Sequence, residues 1–145
     1  MMYLGVDPGV NGALAALNDE GDAWLWDTPT IKVKGRSHQQ PVQIADILKN
    51  DLRDTSFFAT LEEVHSMPRD AGKSAFTFGR SLGGWEQALA SAGIPYQLVS
   101  PLRWMNAMCP GSRLPEARVE IALRLFPQMA EYLTRKKDAD RADAL

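Results

Sequence analysis

Met2-Tyr3-Leu4-Gly5-Val6-Asp7-Pro8-Gly9-Val10-Asn11-Gly12-Ala13-Leu14 is the stretch on which the reading of this chain turns. An apolar run from Met2 to Val6 breaks off in Asp7-Pro8-Gly9, the pattern of a buried strand ending in a turn. Gly12 to Leu17 resumes as a second strand, and Asn18-Asp19-Glu20-Gly21-Asp22 carries hairpin chemistry. Ala23 to Asp27 follows as a third strand, with Trp24 and Trp26 on one face. The chain thus opens as an antiparallel meander. Asp7 lies directly after the first strand, where the carboxyl edge of an open α/β sheet binds ligands. An aspartate that only starts a turn is the ordinary alternative at such a place.

Outward from the meander, Thr28 to Gln40 reads as a mobile polar loop holding Pro29 and Gly35. Pro41 suits the first turn of a helix running to about Asp54, with Ile44, Ile47, Leu48 and Leu52 at helical spacing. Phe57 to Glu62 is a fourth strand and Ser66 to Lys73 a polar loop. Ser74 to Ala92 is a long helix whose Gly79, Gly83 and Gly84 are expected to permit close packing, with Gly93 as its terminal cap. Tyr96 to Val99 is a fifth strand; helices follow over Pro101 to Met108, Pro115 to Phe126 and from Ala139. This order predicts an α/β fold: a mixed five-stranded sheet, three antiparallel strands then parallel ones, with helices on both faces. One domain over 1–145 is expected, its last helix truncated or unusually short.

The bulk numbers exclude several classes. With 45% hydrophobic and 23% charged residues among 145, the chain can bury a normal core and is not a disordered tract. No apolar run is long enough to span a bilayer, and the start does not read as a signal peptide. Cys109 stands alone, so an internal disulfide and a thiolate metal cage are both excluded, and a reducing cytoplasm is the expected setting. Net charge is -2 and the pI about 5.7, which does not by itself mark a nucleic-acid binder. Bases nevertheless cluster at Lys32, Lys34 and Arg36, from Arg69 to Arg80, from Arg113 to Arg124, and at Arg135, Lys136 and Lys137. Such clusters read either as a phosphate-facing surface or as a solvated, mixed-charge exterior.

Further acids complete a constellation around Asp7. Glu62 and Glu63 end the fourth strand, and because side chains alternate, only one of them shares Asp7's face. Asp140 and Asp143, three apart at the start of the last helix, lie on one side of it. The helix amino terminus is expected to keep both ionised, with Asp138 as the N-cap. Acids in a first helical turn also occur for capping alone. An Asp, a Glu and a paired Asp set are hard oxygen ligands suited to Mg²⁺ or Mn²⁺. Three or four such groups can hold two ions about 3.5–4 Å apart and activate water for in-line attack at phosphorus.

These motifs resemble a known family. Leu4 through Leu14 is similar to the first motif of RuvC-type Holliday-junction resolvases, Leu61-Glu62-Glu63-Val64 to the second, and Asp140-Arg141-Ala142-Asp143-Ala144-Leu145 to the last. His65-Ser66-Met67-Pro68, Phe78 to Gly83 and Pro101 to Met105 resemble phage and prophage members. The resemblance implies a ribonuclease H-like fold and metal-dependent hydrolysis of branched DNA in recombination and repair, in a bacterial or phage-infected cytoplasm. It implies Asp7, Glu62, Asp140 and Asp143 as catalytic metal ligands, with Glu62 chosen over Glu63, Asp7 bridging two ions, and a homodimer acting on a four-way junction or fork. The nucleic-acid contacts it suggests are His65, Arg69, Lys73, Arg80, Arg113, Arg118, Lys136 and Lys137. Two departures stand out. His65 replaces an aromatic that stacks near the junction centre, and Pro115-Glu116 stands where the family carries a lysine, leaving Arg113 or Arg118 to substitute.

Other readings are ranked below this one. Gly5 to Gly12 lacks the Gly-Lys-Ser/Thr of a P-loop. It resembles the first phosphate loop of actin-like and sugar-kinase ATPases, which need two such domains. A branched nucleic-acid binding module, or an RNA-processing nuclease of the same fold, is the nearer alternative. Phe76, Phe78, Leu82, Trp85 and Leu89 on the long helix read as core, with a dimer face as the second reading. Trp104 and Met105 read as packing residues.

Overall fold

The computed structural model describes residues 1–52, 56–65 and 71–145, the side chains of residues 51 and 136 excepted. Five strands form the central sheet: β1 (Met2–Val6), β2 (Ala13–Asn18), β3 (Ala23–Asp27), β6 (Phe57–Glu62) and β7 (Tyr96–Val99). Their order is β3-β2-β1-β6-β7. β1 pairs antiparallel with β2, as β2 does with β3; β1 and β6, and β6 and β7, run parallel. This is the mixed sheet expected from the sequence.

Strand alternation sorts the two faces. Leu4, Val6, Leu14, Ala16, Phe57, Ala59 and Leu61 point to one side and pack with Ile44, Leu48, Leu52, Trp85 and Leu89. Those partners come from α1 (Pro41–Asp46), the wide turn that continues it (Ile47–Asp51) with its cap Leu52, and α2 (Gly72–Ser91). On the other side, Ala13 and Ala15 lie under Ala144 of α5 (Ala139–Ala144). There Ala122 of α4 (Pro115–Leu125) packs with Met129, Leu133 and Ala142. The small residues on this face are a spatial requirement: a Cβ on Gly5 would fall 1.9 Å from the Ala144 carbonyl oxygen. The last helix therefore rests directly on β1. No helix of the described residues is long and apolar enough to cross a membrane.

The structure corrects four local expectations. Thr28 to Gln40 is not an irregular loop but holds the hairpin β4 (Thr30–Val33) and β5 (Arg36–Gln39). Its two-residue turn takes positive φ at both Lys34 (49°) and Gly35 (78°), as a type I′ turn requires. The first helix passes at Ile47 into a π turn that runs to Asp51 with Leu52 as its C-cap, and the last two positions of the expected helix, 53 and 54, lie outside the described residues. On α2, Gly79 and Gly83 face open space, and only Gly84 meets a neighbour, Gln39. Trp85 and Leu89 are core as expected, but Phe76 is 72% exposed and Phe78 39%.

Candidate metal centre

Asp7 sits one residue beyond β1 and Glu62 ends β6. The parallel register pairs Val6 with Leu61, so the next step sets Asp7 beside Glu62. Leu61 is buried against α1 and α2, which turns Glu62 to the face that α4 and α5 cover. Glu63 points elsewhere, and its Oε2 lies 3.5 Å from His65 Nε2. The Gly9 N–H donates to Asp7 Oδ1 at 2.8 Å, and the Asp7 N–H is held by the Ala13 carbonyl at 3.0 Å. A Cβ on Gly12 would fall 2.2 Å from the Asp7 carbonyl oxygen and 2.9 Å from Oδ1. The Asp-Pro-Gly turn thus wraps its own carboxylate, and glycine at position 12 keeps that space open.

The last helix brings Asp140 and Asp143 over this edge. One carboxylate oxygen from each of Asp7, Asp140 and Asp143 lies within 4.8 Å of the others. Arg118, on α4, points into the same cluster and pairs through Nη1 with Asp143 Oδ2. Beside Glu62, Arg118 and Asp143 lies an apolar cavity of about 260 Å³ walled by Trp104, Met108 and Ile121. The Trp104 indole N–H donates to Glu62 Oε1 at 2.8 Å and fixes that carboxylate. Trp104, on α3 (Pro101–Met108), thus bonds a candidate acid as well as walling the cavity. The available signal was an indole N–H, which needs an acceptor once it is half-buried.

Burial dominates the electrostatics. It pushes the Asp7 carboxyl up to about 7, helped by Glu62 and Asp140 and opposed by the Gly9 N–H and Arg118. Asp143 likewise rises to about 7, mainly through burial, with Arg118 opposing and the other three acids adding to the shift. Asp140 is raised by burial against Arg118. The expected stabilisation by the helix amino terminus is therefore outweighed by desolvation and crowding. Asp138 corrects a second expectation: its side chain does not cap α5. It accepts the Arg135 backbone N–H at 2.8 Å and the Arg135 guanidinium at 2.8 Å instead.

Arg141 is a further residue the sequence reading passed over. It clamps Asp27 at the end of β3 through Nε (2.6 Å) and Nη2 (2.7 Å), and donates to the Tyr132 carbonyl at 2.7 Å. These bonds hold the Asp27 carboxyl below its usual range. They also tie α5, which carries Asp140 and Asp143, to the sheet.

The expected nucleic-acid contacts are scattered. Lys73 and Arg80 are exposed on α2, with Arg80 Nη1 at 3.5 Å from His38 Nδ1. His65 and Arg113 are exposed. Lys137 lines a polar cleft of about 350 Å³ that also holds Asp140 and Arg141. Arg118 is the exception, turned inward as the counter-ion of Asp143 and 18% exposed. Arg69 lies outside the described residues, as does the side chain of Lys136.

The donor set fits a hard divalent cation. Asp7, Asp140 and Asp143 present oxygens at one point, and Asp143 Oδ1 is buried with no hydrogen-bond partner among the described residues. A buried orphan acceptor beside two more carboxylates is what a Mg²⁺ or Mn²⁺ ligand shell looks like before the cation's charge is added.

Comparison of the chain with protein-family models returns no match, and comparison with curated sequences returns none either. Among solved structures it is similar to Thermus thermophilus RuvC in complex with a Holliday junction substrate, at 16% identity and a TM-score of 0.62. That match covers 99% of this chain and 90% of the other. A second T. thermophilus RuvC structure matches at 17% identity and a TM-score of 0.58, covering 99% and 91%. At such identity the likeness is one of fold. The chain has the ribonuclease H-like fold of the RuvC resolvases, the same group its motifs resemble.

Proposed function

We propose that this chain is a metal-dependent endonuclease that hydrolyses phosphodiester bonds in branched DNA, four-way junctions or forks, as a single domain working in homodimers. The observation that carries the reading is the convergence of Asp7, Asp140 and Asp143 to within 4.8 Å on a RuvC-like fold, with Glu62 as the adjoining fourth acid. Asp7, Glu62, Asp140 and Asp143 would hold the divalent ions, Mg²⁺ or Mn²⁺, two per site. Such ions neutralise charge on the phosphate, activate water and stabilise the leaving oxygen.

The chain's own groups organise that chemistry. The Gly9 N–H fixes the plane of the Asp7 carboxylate, and Trp104 fixes Glu62, so neither acid must reorient when substrate arrives. Arg118 holds Asp143 in the absence of other cations and lowers the proton affinity of Asp7, Asp140 and Asp143, easing their ionisation. Lys137, exposed at the rim of the cleft that holds Asp140, is placed to meet a phosphate next to the metals. His65, Lys73, Arg80 and Arg113 are exposed cations or rings available to the arms of the substrate.

The test is cleavage of labelled four-way junction, fork, linear duplex and structured RNA, with and without Mg²⁺ or Mn²⁺, alongside Asp7→Asn. Metal-dependent cutting of the branched substrates, abolished by Asp7→Asn, is expected. Tight junction binding without cutting under any metal would instead make the chain a binding module. Preferential cutting of RNA would make it an RNA-processing relative.

A further inference from the structure

The charge on this molecule is segregated in a way the sequence order hides. From Thr28 to Ala45 there is no acid, and Lys32, Lys34 and Arg36 fall within the span. From Ala71 to Trp85 there is again no acid, with Lys73 and Arg80. At the chain's average of 18 acids in 145 residues, these 33 positions would hold about four. The first stretch contains the β4–β5 hairpin and the second is most of α2. The fold puts them together: Arg80 meets His38 at 3.5 Å, and Gly84 packs on Gln39.

The hairpin is also tied to the metal loop. Gln39 Nε2 donates to the Pro8 carbonyl at 2.9 Å, and the Thr28 N–H, just before β4, to the Gly12 carbonyl at 2.9 Å. Val10 of the metal loop walls two clefts at once. One is the polar cleft containing Asp140 and Lys137; the other, between hairpin and helix, is lined by His38, Phe76, Thr77 and Arg80. Val10 thus sets the cleft that holds Asp140 next to the one between hairpin and helix.

Nothing in the core accounts for the hairpin. All four residues of β4 are exposed. Lys32 bonds only Ser37 Oγ at 2.7 Å, and Lys34 and Arg36 have no partner among the described residues. A two-stranded ribbon is marginal on its own; here β5 leans on the metal loop and α2 while β4 and the side chains of Lys34 and Arg36 face outward, without partners among the described residues.

We infer that the β4–β5 hairpin and the first half of α2 form a basic saddle that grips the phosphodiester backbone of a nucleic-acid strand leaving the metal centre. Lys32, Lys34 and Arg36 supply the phosphate contacts, while His38 and Phe76 line the cleft where a base can lie against a ring. This rests on the nuclease reading above and adds to it the element that holds the substrate.

The experiment uses the triple variant Lys32→Ala, Lys34→Ala, Arg36→Ala and the charge-keeping triple Lys32→Arg, Lys34→Arg, Arg36→Lys. Binding of labelled four-way junction and duplex is followed by fluorescence anisotropy over a series of salt concentrations without divalent metal. Each phosphate contact contributes about 0.9 to the slope of log affinity against log salt. The alanine triple is expected to lower that slope by about 2–3 and weaken binding by roughly 10–100-fold at low salt, and the charge-keeping triple to restore both. Mn²⁺ affinity and melting temperature should match the wild type. If the wild type binds and cuts while the alanine triple keeps its affinity and slope, the saddle is overturned and the nuclease reading stands. A fall in Mn²⁺ affinity would mean the hairpin acts only by bracing the metal loop, which also overturns it. A wild type that binds no nucleic acid overturns both.

Discussion

Arg118 is the residue on which the site's balance rests. Its guanidinium pairs with Asp143, whose side chain is only 7% exposed, and it faces Asp7 and Asp140 as well. Arg118→Met would leave crowded, desolvated carboxylates without their cation. Breaking a buried pair of this kind costs about 3–5 kcal/mol, because the remaining charge is stranded. We expect Arg118→Met to lower the melting temperature strongly in metal-free buffer near neutral pH, and saturating Mn²⁺ to restore most of the loss by supplying the missing charge. Equal losses with and without Mn²⁺, read by differential scanning fluorimetry, would show that Arg118 serves packing rather than the acids. On sequence alone Arg118 was one of eight candidate nucleic-acid contacts and, with Arg113, one of two that could replace the family's lysine. Spacing along α4 cannot say that the face carrying Arg118 closes over the acids, since that depends on how α4 lies against α5.

At the scale of elements, α5 delivers two of the four acids and is held by two devices. Arg141 clamps Asp27, and Gly5 lets the helix touch β1. Even one methyl at position 5 would collide with the Ala144 carbonyl, and backbone rather than a flexible side chain would have to yield. Gly5→Ala should therefore lift α5, carrying Asp140 and Asp143 away from Asp7. The expected outcome is a loss of Mn²⁺ affinity on the order of 10–100-fold by calorimetric titration, with the far-ultraviolet spectrum of the sheet kept. Gly79→Ala is the control, because its Cβ meets open space on α2 and gains helix propensity of up to about 1 kcal/mol. Full metal affinity in Gly5→Ala would refute the account of how α5 is seated. Most elements were legible from periodicity, down to β6, β7, α3 and the start of α5. The β4–β5 hairpin was not, because its strands have no buried face to leave an alternating pattern, and its turn uses Lys34 where Asn or Asp is the usual signal.

At the scale of the whole molecule, the acidic centre sets how stability depends on pH. Asp7 and Asp143 keep their protons to about 7 in the folded chain, against 3.8 for an ordinary aspartate. Folding therefore takes up protons in that interval. Their contribution to metal-free stability is present at low pH, declines as pH rises from 3.8 to about 7, and is flat above. On the proposed metal-dependent reading, divalent metal would reverse the slope by binding the ionised acids, and its apparent affinity should rise on the order of 100-fold between about pH 6 and pH 8. Thermal melts across pH, with and without Mn²⁺, check both trends, and a metal affinity that ignores pH would contradict the raised carboxyls.

The sequence by itself determined the sheet order's raw material, the two helical layers, and which acids were available: Asp7 after a buried strand, a Glu at the end of β6, and Asp140 with Asp143 on one helical side. These follow from local periodicity and turn chemistry, which act over a few residues. Side-chain alternation alone left Glu62 and Glu63 open and the motif resemblance favoured Glu62; the tertiary structure supplies the physical reason, the parallel register of Val6 with Leu61 that turns Glu62 to the side of Asp7. It also turned Arg118 inward, set Trp104 on Glu62, and joined two acid-free stretches into one face. Those outcomes depend on strand register and helix seating, which bring together residues tens of positions apart and leave no trace in any local window.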